Sequence, residues 1–363
     1  MNKKSKDFLF RYLNSFSPVG HEYAGQKVWL DYISEYVDMK TSDTYGNVVG
    51  IINHDSAHAP SLQADYKVVI DAHADEISWL VNRITNEGYI YVIRNGGSDC
   101  QIAPSMRVNF HTDSGIVKGV FGWPAIHVRK PDDKLLPTVQ NIFIDIGAES
   151  KEEAESYGIH VGTVVTMEGE LFELGKNYLT GRALDDRIGG FITAEVARKL
   201  SEEKITLPFS LYLVNAVQEE VGLRGASMVS RQVQPNVAIC IDVAHDTKSP
   251  LYGLDNGEIK CGAGPVLSYA APVQNNILKL IETVANKKKI KFQRHASAGT
   301  TGTDTDAFAY SSTGCASALI SVPQKYMHTT VETVHKDDVE DTIDLIYNVL
   351  LNIKNQDFRY LKI

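Results

Sequence analysis

Cysteine is scarce in this sequence: four residues in 363, Cys100, Cys240, Cys261 and Cys315, far apart and with no CxxC pair. That spacing excludes a thiolate zinc knuckle and a dithiol redox motif, and reads as free thiols in a reducing compartment. No apolar run is long enough to span a bilayer. Met1-Asn2-Lys3-Lys4-Ser5-Lys6 is basic, but neither an apolar signal core nor a small-residue cleavage site follows, so the expected location is the cytoplasm. Basic residues are outnumbered, 36 to 45, and the formal charge of −9 argues against nucleic acid as a partner. Repeats and low-complexity tracts are absent. The Gly-rich polar loop from His295 to Phe308 lacks the Gly-Lys-Ser/Thr of a phosphate-binding Walker loop. The composition, 43% apolar and 22% charged, is that of an ordinary soluble globular protein, and the length suits about two domains.

Periodicity divides the chain into two textures. Helical spacing over Ser5–Phe16 and Glu22–Val37 is broken by Ser17-Pro18-Val19-Gly20, and apolar strands follow at Asn47–Ile52 and from Lys67. Asn53 to Tyr66 reads as a polar loop. From Ile77 to about Glu168 come short strands at 89–93, 106–110, 115–122 and 141–146, separated by Gly, Asn, Asp and Pro, as in a small β-barrel or sandwich. One helix interrupts them, from Ser150 to Tyr157, where Ser150 and Glu153 form a capping box. His111, His127 and His160 within this region read as ordinary packing or polar residues, and Asp132-Asp133-Lys134 as a solvated tip. Beyond Gly175 helices and apolar strands alternate again, to a final helix over Lys336–Ile353. The expectation is an α/β catalytic domain formed by 1–76 and 169–363, with an inserted β domain over 77–168.

Chemistry collects where the apolar strands end. Phe209–Ala216 runs into Gln218-Glu219-Glu220-Val221-Gly222, and Lys67–Ala72 into His73-Ala74-Asp75-Glu76. Asn236–Val243 carries Asp242 near its end, and the last strand is followed by His328. Asp185 and Asp186 open a helix. Taken singly, each has an ordinary account: a solvated turn, a helix cap, a packed histidine. Carboxylates at the rim of a core nevertheless need a cation or water, because an unpaired buried charge costs several kcal/mol, and ligands of open α/β sheets bind at the carboxyl ends of the strands. Together, two imidazoles and three or more carboxylates suit a pair of zinc-like ions, with one carboxylate shared and a water between them. The Glu219-Glu220 pair can supply both an oxygen ligand and a general base. Asp75, on the same side of the strand as His73, can hold the ring nitrogen that faces away from the metal. His245 and Asp246 read as loop residues, and the 295–308 loop as the wall of a substrate pocket.

These motifs resemble the M42 metallo-aminopeptidases. The similarity runs along nearly the whole chain, through Ser17-Pro18-Val19-Gly20-His21-Glu22, Ala72–Glu76, Ile144–Ala148, Arg182–Arg187, Gln218–Gly222 and the His328 turn. The resemblance implies a three-layer αβα catalytic domain of the zinc-exopeptidase type with an inserted β-barrel that supports assembly. It implies that His73, Asp185 and Asp242 hold one divalent ion and that Asp185, Glu220 and His328 hold the other. Zinc is the foremost ion, with cobalt or manganese as alternatives. Glu219 is then the general base acting on the water between the ions, and Asp75 orients His73. Short peptides are the implied substrates, and a homo-oligomer the implied assembly, built from dimers and extending to a tetrahedral dodecamer. The Gly302-Thr303-Asp304-Thr305-Asp306-Ala307 loop is more acidic than the Gly-Thr-Asp-Ala form associated with the family, which makes Asp304 and Asp306 candidate pocket residues. Two other readings stand beside this one: a deacylase or carboxypeptidase using the same metal pair, and a glycan hydrolase of endoglucanase type, which needs two facing carboxylates and no metals.

Overall fold

The computed structural model describes residues 1–53, 66–129, 135–252 and 257–362. The first described elements are helices α1 (Lys3–Asn14) and α2 (Tyr23–Ile33) and strands β1 (Met39–Ser42), β2 (Val48–Ile52) and β3 (Lys67–His73). Next are β4 (Ser78–Ile84), β5 (Ile90–Asn95), β6 (Arg107–Thr112), β7 (Gly115–Gly122), β8 (Phe143–Asp145), helix α3 (Lys151–Ser156) and β9 (Val164–Met167). There follow β10 (Phe172–Leu174), β11 (Tyr178–Gly181), helix α4 (Leu184–Glu202), β12 (Ser210–Ala216), helix α5 (Arg224–Val233) and β13 (Val237–His245). The last are β14 (Val266–Tyr269), α6 (Asn275–Lys288), β15 (Gln293–Ala296), α7 (Asp304–Ala309), β16 (Ala316–Lys325), β17 (Glu332–His335) and α8 (Lys336–Leu350).

A mixed sheet runs β1-β2-β12-β3-β13-β16-β17-β11-β10, with β14 and β15 attached beside β16. Its centre, β12-β3-β13-β16, is parallel. Strands buried on both faces read as continuous apolar runs, and Val68-Val69-Ile70 and Val237–Ile241 meet that requirement. Helix α4 lies against β3, β12 and β13 with α1, α2 and α8 beside it, while α5 and α7 pack together and contact the central strands. The result is a three-layer α/β/α body. Every residue of α4 from Leu184 to Ala197 is buried, so this helix is core all round rather than amphipathic. Trp29 is fully enclosed and its indole N–H donates to the Gly190 carbonyl at 2.7 Å.

Strands β4-β5-β8-β7-β6-β9 close into a barrel. It has its own apolar core, with Trp79, Val92, Phe110, Phe121, Ile144 and Val165 all buried. Trp79 meets Phe121 edge-on, ring centroids 5.7 Å apart. Ser150 caps α3 by accepting from the Glu153 N–H at 3.1 Å. The return bond of the expected capping box is displaced by one residue: Glu153 accepts from Glu149, at 2.8 Å, instead of from Ser150.

The structure extends the expected elements in several places. The barrel's first and last strands, β4 and β9, have no counterpart among the expected strands. Ser78–Ile84 begins directly after the polar His73–Glu76 segment, so its alternation is masked by neighbouring site residues. Part of the loop expected over His295–Phe308 is helical, because the Thr303 hydroxyl caps α7 by accepting from the Thr305 N–H at 3.3 Å. Residues 54–65 of the expected polar loop, and Asp132-Asp133-Lys134, lie outside the described residues. No described helix is long and apolar enough to cross a membrane.

Candidate active site

Five separate elements deliver the polar side chains. His73 ends β3, and Asp242 lies near the end of the adjacent parallel strand β13. Glu219 and Glu220 begin a single 3-10 turn after β12, entered through Gln218 at φ 57° and left through Gly222 at φ 117°. Asp185 stands at the start of α4, behind Ala183 at φ 58°, and its peptide bond to Asp186 is cis. His328 sits at φ 61° in the turn between β16 and β17. Left-handed backbone at non-glycine residues is uncommon and must be held in place by its surroundings.

Asp185 is central. One carboxylate oxygen lies 3.2 Å from His73 Nε2 and the other 3.4 Å from His328 Nε2. His328 Nε2 is also 3.1 Å from Glu220 Oε1, and Glu219 Oε2 is 3.9 Å from His73 Nε2. Single donor atoms of His73, Asp185 and Glu220 all fall within 4.8 Å of one another. Behind His73, Nδ1 is 3.1 Å from the Asp75 carbonyl oxygen and 3.5 Å from Asp75 Oδ1. Asp75 Oδ1 also accepts the Glu219 N–H at 2.9 Å, and Oδ2 accepts the Glu220 N–H at 3.1 Å. Asp75 thus ties the histidine and both glutamates to one buried carboxylate. Asp242 accepts the Val243 N–H at 2.7 Å and shares the wall of one cleft with Asp185, Glu219, Glu220 and His328.

The electrostatics are those of crowded acids drawn out of water. Burial pushes Glu219 up to about 10, His73 opposing and Asp242 reinforcing. Burial, with Asp185 next to it, raises Asp242 to about 7, and burial also raises Glu220. Burial alone would lower both histidines. Hydrogen bonds to Asp185, joined by Asp75 at His73 and by Glu220 at His328, outweigh it, so His73 rises and His328 reaches about 11. Asp185 moves down despite burial, because both imidazoles stabilise its charge. A group of this kind, imidazole nitrogens facing carboxylate oxygens within a few ångströms, fits a divalent cation of zinc type.

The cleft has a volume of about 860 Å³, within the usual range for a small-molecule site. Its far wall includes Thr301, Gly302 and Thr303, with Arg294, His245 and His295 nearby. Asp304 and Asp306 are not in the wall, contrary to the expectation for them. Asp304 turns into the core, where its carboxyl is hydrogen-bonded to that of Asp71 and no other donor reaches either. Asp306 braces the loop from behind, accepting the N–H groups of Thr301 at 2.9 Å and Gly302 at 3.1 Å and the Thr301 hydroxyl at 2.7 Å. The wall is therefore made by the Gly-rich segment itself. His245 ends β13 and lines the cleft rather than lying in a loop. His111, by contrast, packs edge-on against Phe16 and faces the Thr166 hydroxyl at 2.9 Å.

Two contributors escaped the sequence reading. Gly97, in the barrel domain, lies against the His328 imidazole, where a Cβ would come within 2.3 Å of Nδ1. Glu332, at the start of β17, is buried and accepts N–H groups from both Asp185 and His328. Neither stands at the end of an apolar strand, which was the signal used. A glutamate four residues after His328 is visible in the sequence, but its partners are set by tertiary structure.

An α/β/α body with imidazoles and carboxylates gathered at the carboxyl ends of parallel strands has the architecture of an exopeptidase-type hydrolase, with a cluster that could hold a divalent metal. The profile of the M42 glutamyl aminopeptidase family matches residues 46–345, and the chain belongs to that family of peptide hydrolases. It is 33% identical over 344 residues to a lysyl aminopeptidase of Pyrococcus furiosus, covering 93% of this chain and 94% of the relative. A TET aminopeptidase from a marine sediment thaumarchaeote superposes with a TM-score of 0.88 at 29% identity, covering 96% of each chain. The Pyrococcus horikoshii TET1 peptidase, described as assembling into a tetrahedron or a large octahedral shell, superposes with a TM-score of 0.82 at 28% identity, covering 95% of this chain and 99% of its own.

Proposed function

We propose that this protein is a two-cation aminopeptidase that removes the N-terminal residue from short peptides in the cytoplasm. The observation that carries the reading is Asp185, with one oxygen toward each of two histidines that arrive from opposite ends of the chain. A carboxylate so placed can be shared between two ions. His73, Asp185 and Asp242 would hold one, and Asp185, Glu220 and His328 the other. Zinc fits the nitrogen and oxygen donors, as do cobalt and manganese. Such ions supply Lewis acidity toward the scissile carbonyl and acidify water.

The chain's own groups do the remaining work. Glu219 stands beside the ligands without the short histidine contact that Glu220 makes. It takes the proton of the attacking water and returns it to the leaving amine. Asp75 fixes the Glu219 backbone and the His73 ring, so base and ligand keep their spacing. The barrel would serve assembly, and the shells described for the Pyrococcus horikoshii relative support a homo-oligomer.

The test is a panel of aminoacyl substrates and their N-acetylated forms, assayed with zinc, cobalt and manganese and after chelation. Free-amine substrates should be cleaved only with metal, and Glu219→Gln should lose ~10²–10⁴-fold while binding metal normally. Equal cleavage of acetylated substrates would point to a deacylase, and activity surviving the chelator would sink the two-cation reading.

A further inference from the structure

Two buried carboxylates in this site share one geometry. Asp75 spreads its oxygens over the backbone N–H groups of Glu219 and Glu220, at 2.9 and 3.1 Å. Glu332 does the same for a second pair. Its Oε1 accepts the His328 N–H at 2.8 Å and its Oε2 accepts the Asp185 N–H at 3.1 Å. Glu332 is 2% exposed, and a buried acceptor of two N–H groups is a costly group to misplace.

The residues that Glu332 joins also approach each other at Asp185 Oδ2 and His328 Nε2, 3.4 Å apart, and the β11–β17 ladder pairs Gly181 with Glu332 close to both. Asp185 opens α4 and His328 lies in the β16–β17 turn, more than a hundred residues away. Both positions have left-handed backbone at or near them, φ 58° at Ala183 and φ 61° at His328. Neither N–H belongs to a regular ladder that would fix it. One carboxylate thus grips both main chains and, together with that ladder, holds the span between them.

We propose that Glu332 is a positioning residue for the Asp185–Glu220–His328 half of the site, setting the span between Asp185 and His328 without ligating either ion itself. It makes no comparable bond to His73 or Asp242. Asp185 is shared by both ions whereas His328 belongs to one, so loss of Glu332 should fall more heavily on the Asp185–Glu220–His328 ion. This rests on the two-cation reading.

The experiment is titration of metal-free parent, Glu332→Gln and Glu332→Asp with Co²⁺, followed by calorimetry, visible absorption and metal content after gel filtration. Gln keeps the volume but turns an NH₂ toward one of the two N–H groups, and Asp withdraws both oxygens by one methylene. Each should weaken one of the two binding steps by ~10–100-fold, the range seen when groups supporting a metal ligand are lost. The other step, which also uses Asp185, should weaken less, and turnover should recover at high Co²⁺. A parent that binds a single ion refutes the two-cation reading. A parent with two steps and variants in which both weaken equally, or neither does, refutes the role of Glu332 alone. Failure of both variants to yield folded metal-free protein, judged by circular dichroism and thermal unfolding, would assign Glu332 to the fold and also overturn the proposal.

Discussion

Gly97→Ala is a small change with a large expected effect. A Cβ built on Gly97 lies 2.3 Å from His328 Nδ1 and 2.5 Å from Cε1, where ordinary contact begins at 3.4 Å. One partner must therefore retreat by roughly 1 Å, since dispersion contacts turn repulsive well outside that separation. The Gly97 segment is anchored: the Ser98 hydroxyl donates to the Ser78 carbonyl at 2.7 Å, and Asn95 Nδ2 donates to the Val19 carbonyl at 3.0 Å. The imidazole has only its contacts to Glu220 and Asp185 to hold it, so the ring gives way. A displacement of that size in a reacting constellation costs ~10²-fold in rate, and a displaced ligand costs ~10-fold or more in metal affinity. The Gly97 φ is not left-handed, so alanine adds no backbone strain, and the melting temperature of metal-free protein should move by no more than a few degrees. Steady-state rates on an aminoacyl substrate, a cobalt titration and circular dichroism together decide it. A folded Gly97→Ala variant with parental rate and metal affinity would show that His328 does not occupy this position in the working enzyme.

Three further outcomes follow from the same contacts. The buried Arg182 guanidinium pairs with Glu76, which also accepts the Ser17 N–H at 2.7 Å, so Glu76→Ala should cost ~3–5 kcal/mol by leaving a buried cation unpaired; a loss below about 1 kcal/mol in urea unfolding would contradict that. Glu22 is raised to about 7 by burial, then by Asp75. The folded state thus holds an extra proton between the unfolded value of 4.5 and about 7, and stability falls as pH rises through that window, by ~3 kcal/mol in all. Glu22→Gln keeps an acceptor for the Gly20 N–H, so it should be more stable than the parent at pH 8 and no more stable at pH 4.5; equal urea midpoints at pH 8 would refute the assignment. Metal binding must expel protons from His73, His328 and the raised carboxylates, so apparent affinity should climb with pH between 6 and 8 and calorimetry in buffers of different ionisation enthalpy should register more than one proton released. Binding without proton release would mean that these groups are already bare.

Legibility in the sequence followed a physical rule. His73, Asp242 and the Glu219-Glu220 pair were visible because a polar residue at the end of a β-branched, apolar strand contradicts its surroundings. The same contrast hid β4, whose Ser78–Ile84 run begins almost at once after the site residues. Asp304 and Asp306 misled because acidity in a Gly-rich loop looks like a charged pocket wall. Thr303 starts a helix there instead, which turns Asp304 inward and leaves Asp306 to bind the loop's own N–H groups. Gly97 and Glu332 were illegible for another reason: a missing Cβ and a carboxylate facing backbone groups have meaning only once distant segments meet.

The burial of so many acids also bears on why cations would suit this site. Asp71, Asp186 and Asp304 lie behind the ligands, and burial raises all three, Asp71 to about 8. Among the described residues, no lysine or arginine forms an ion pair with these three or with Asp185, Glu219, Glu220 or Asp242; the nearby Arg182 is taken by Glu76. Positive charge must come from protons or from metal. Without metal, protons on the two imidazoles and on the raised carboxyls fill that role, which is why both histidines rise although burial opposes it. With metal, the imidazoles must be neutral to donate a lone pair, and the ions take over the charge balance. Burial favours the protonated form of the deeper acids, which leaves the negative charge of the site mainly on the carboxylates that face the cleft. An arginine placed here would compete with a cation for the same carboxylates.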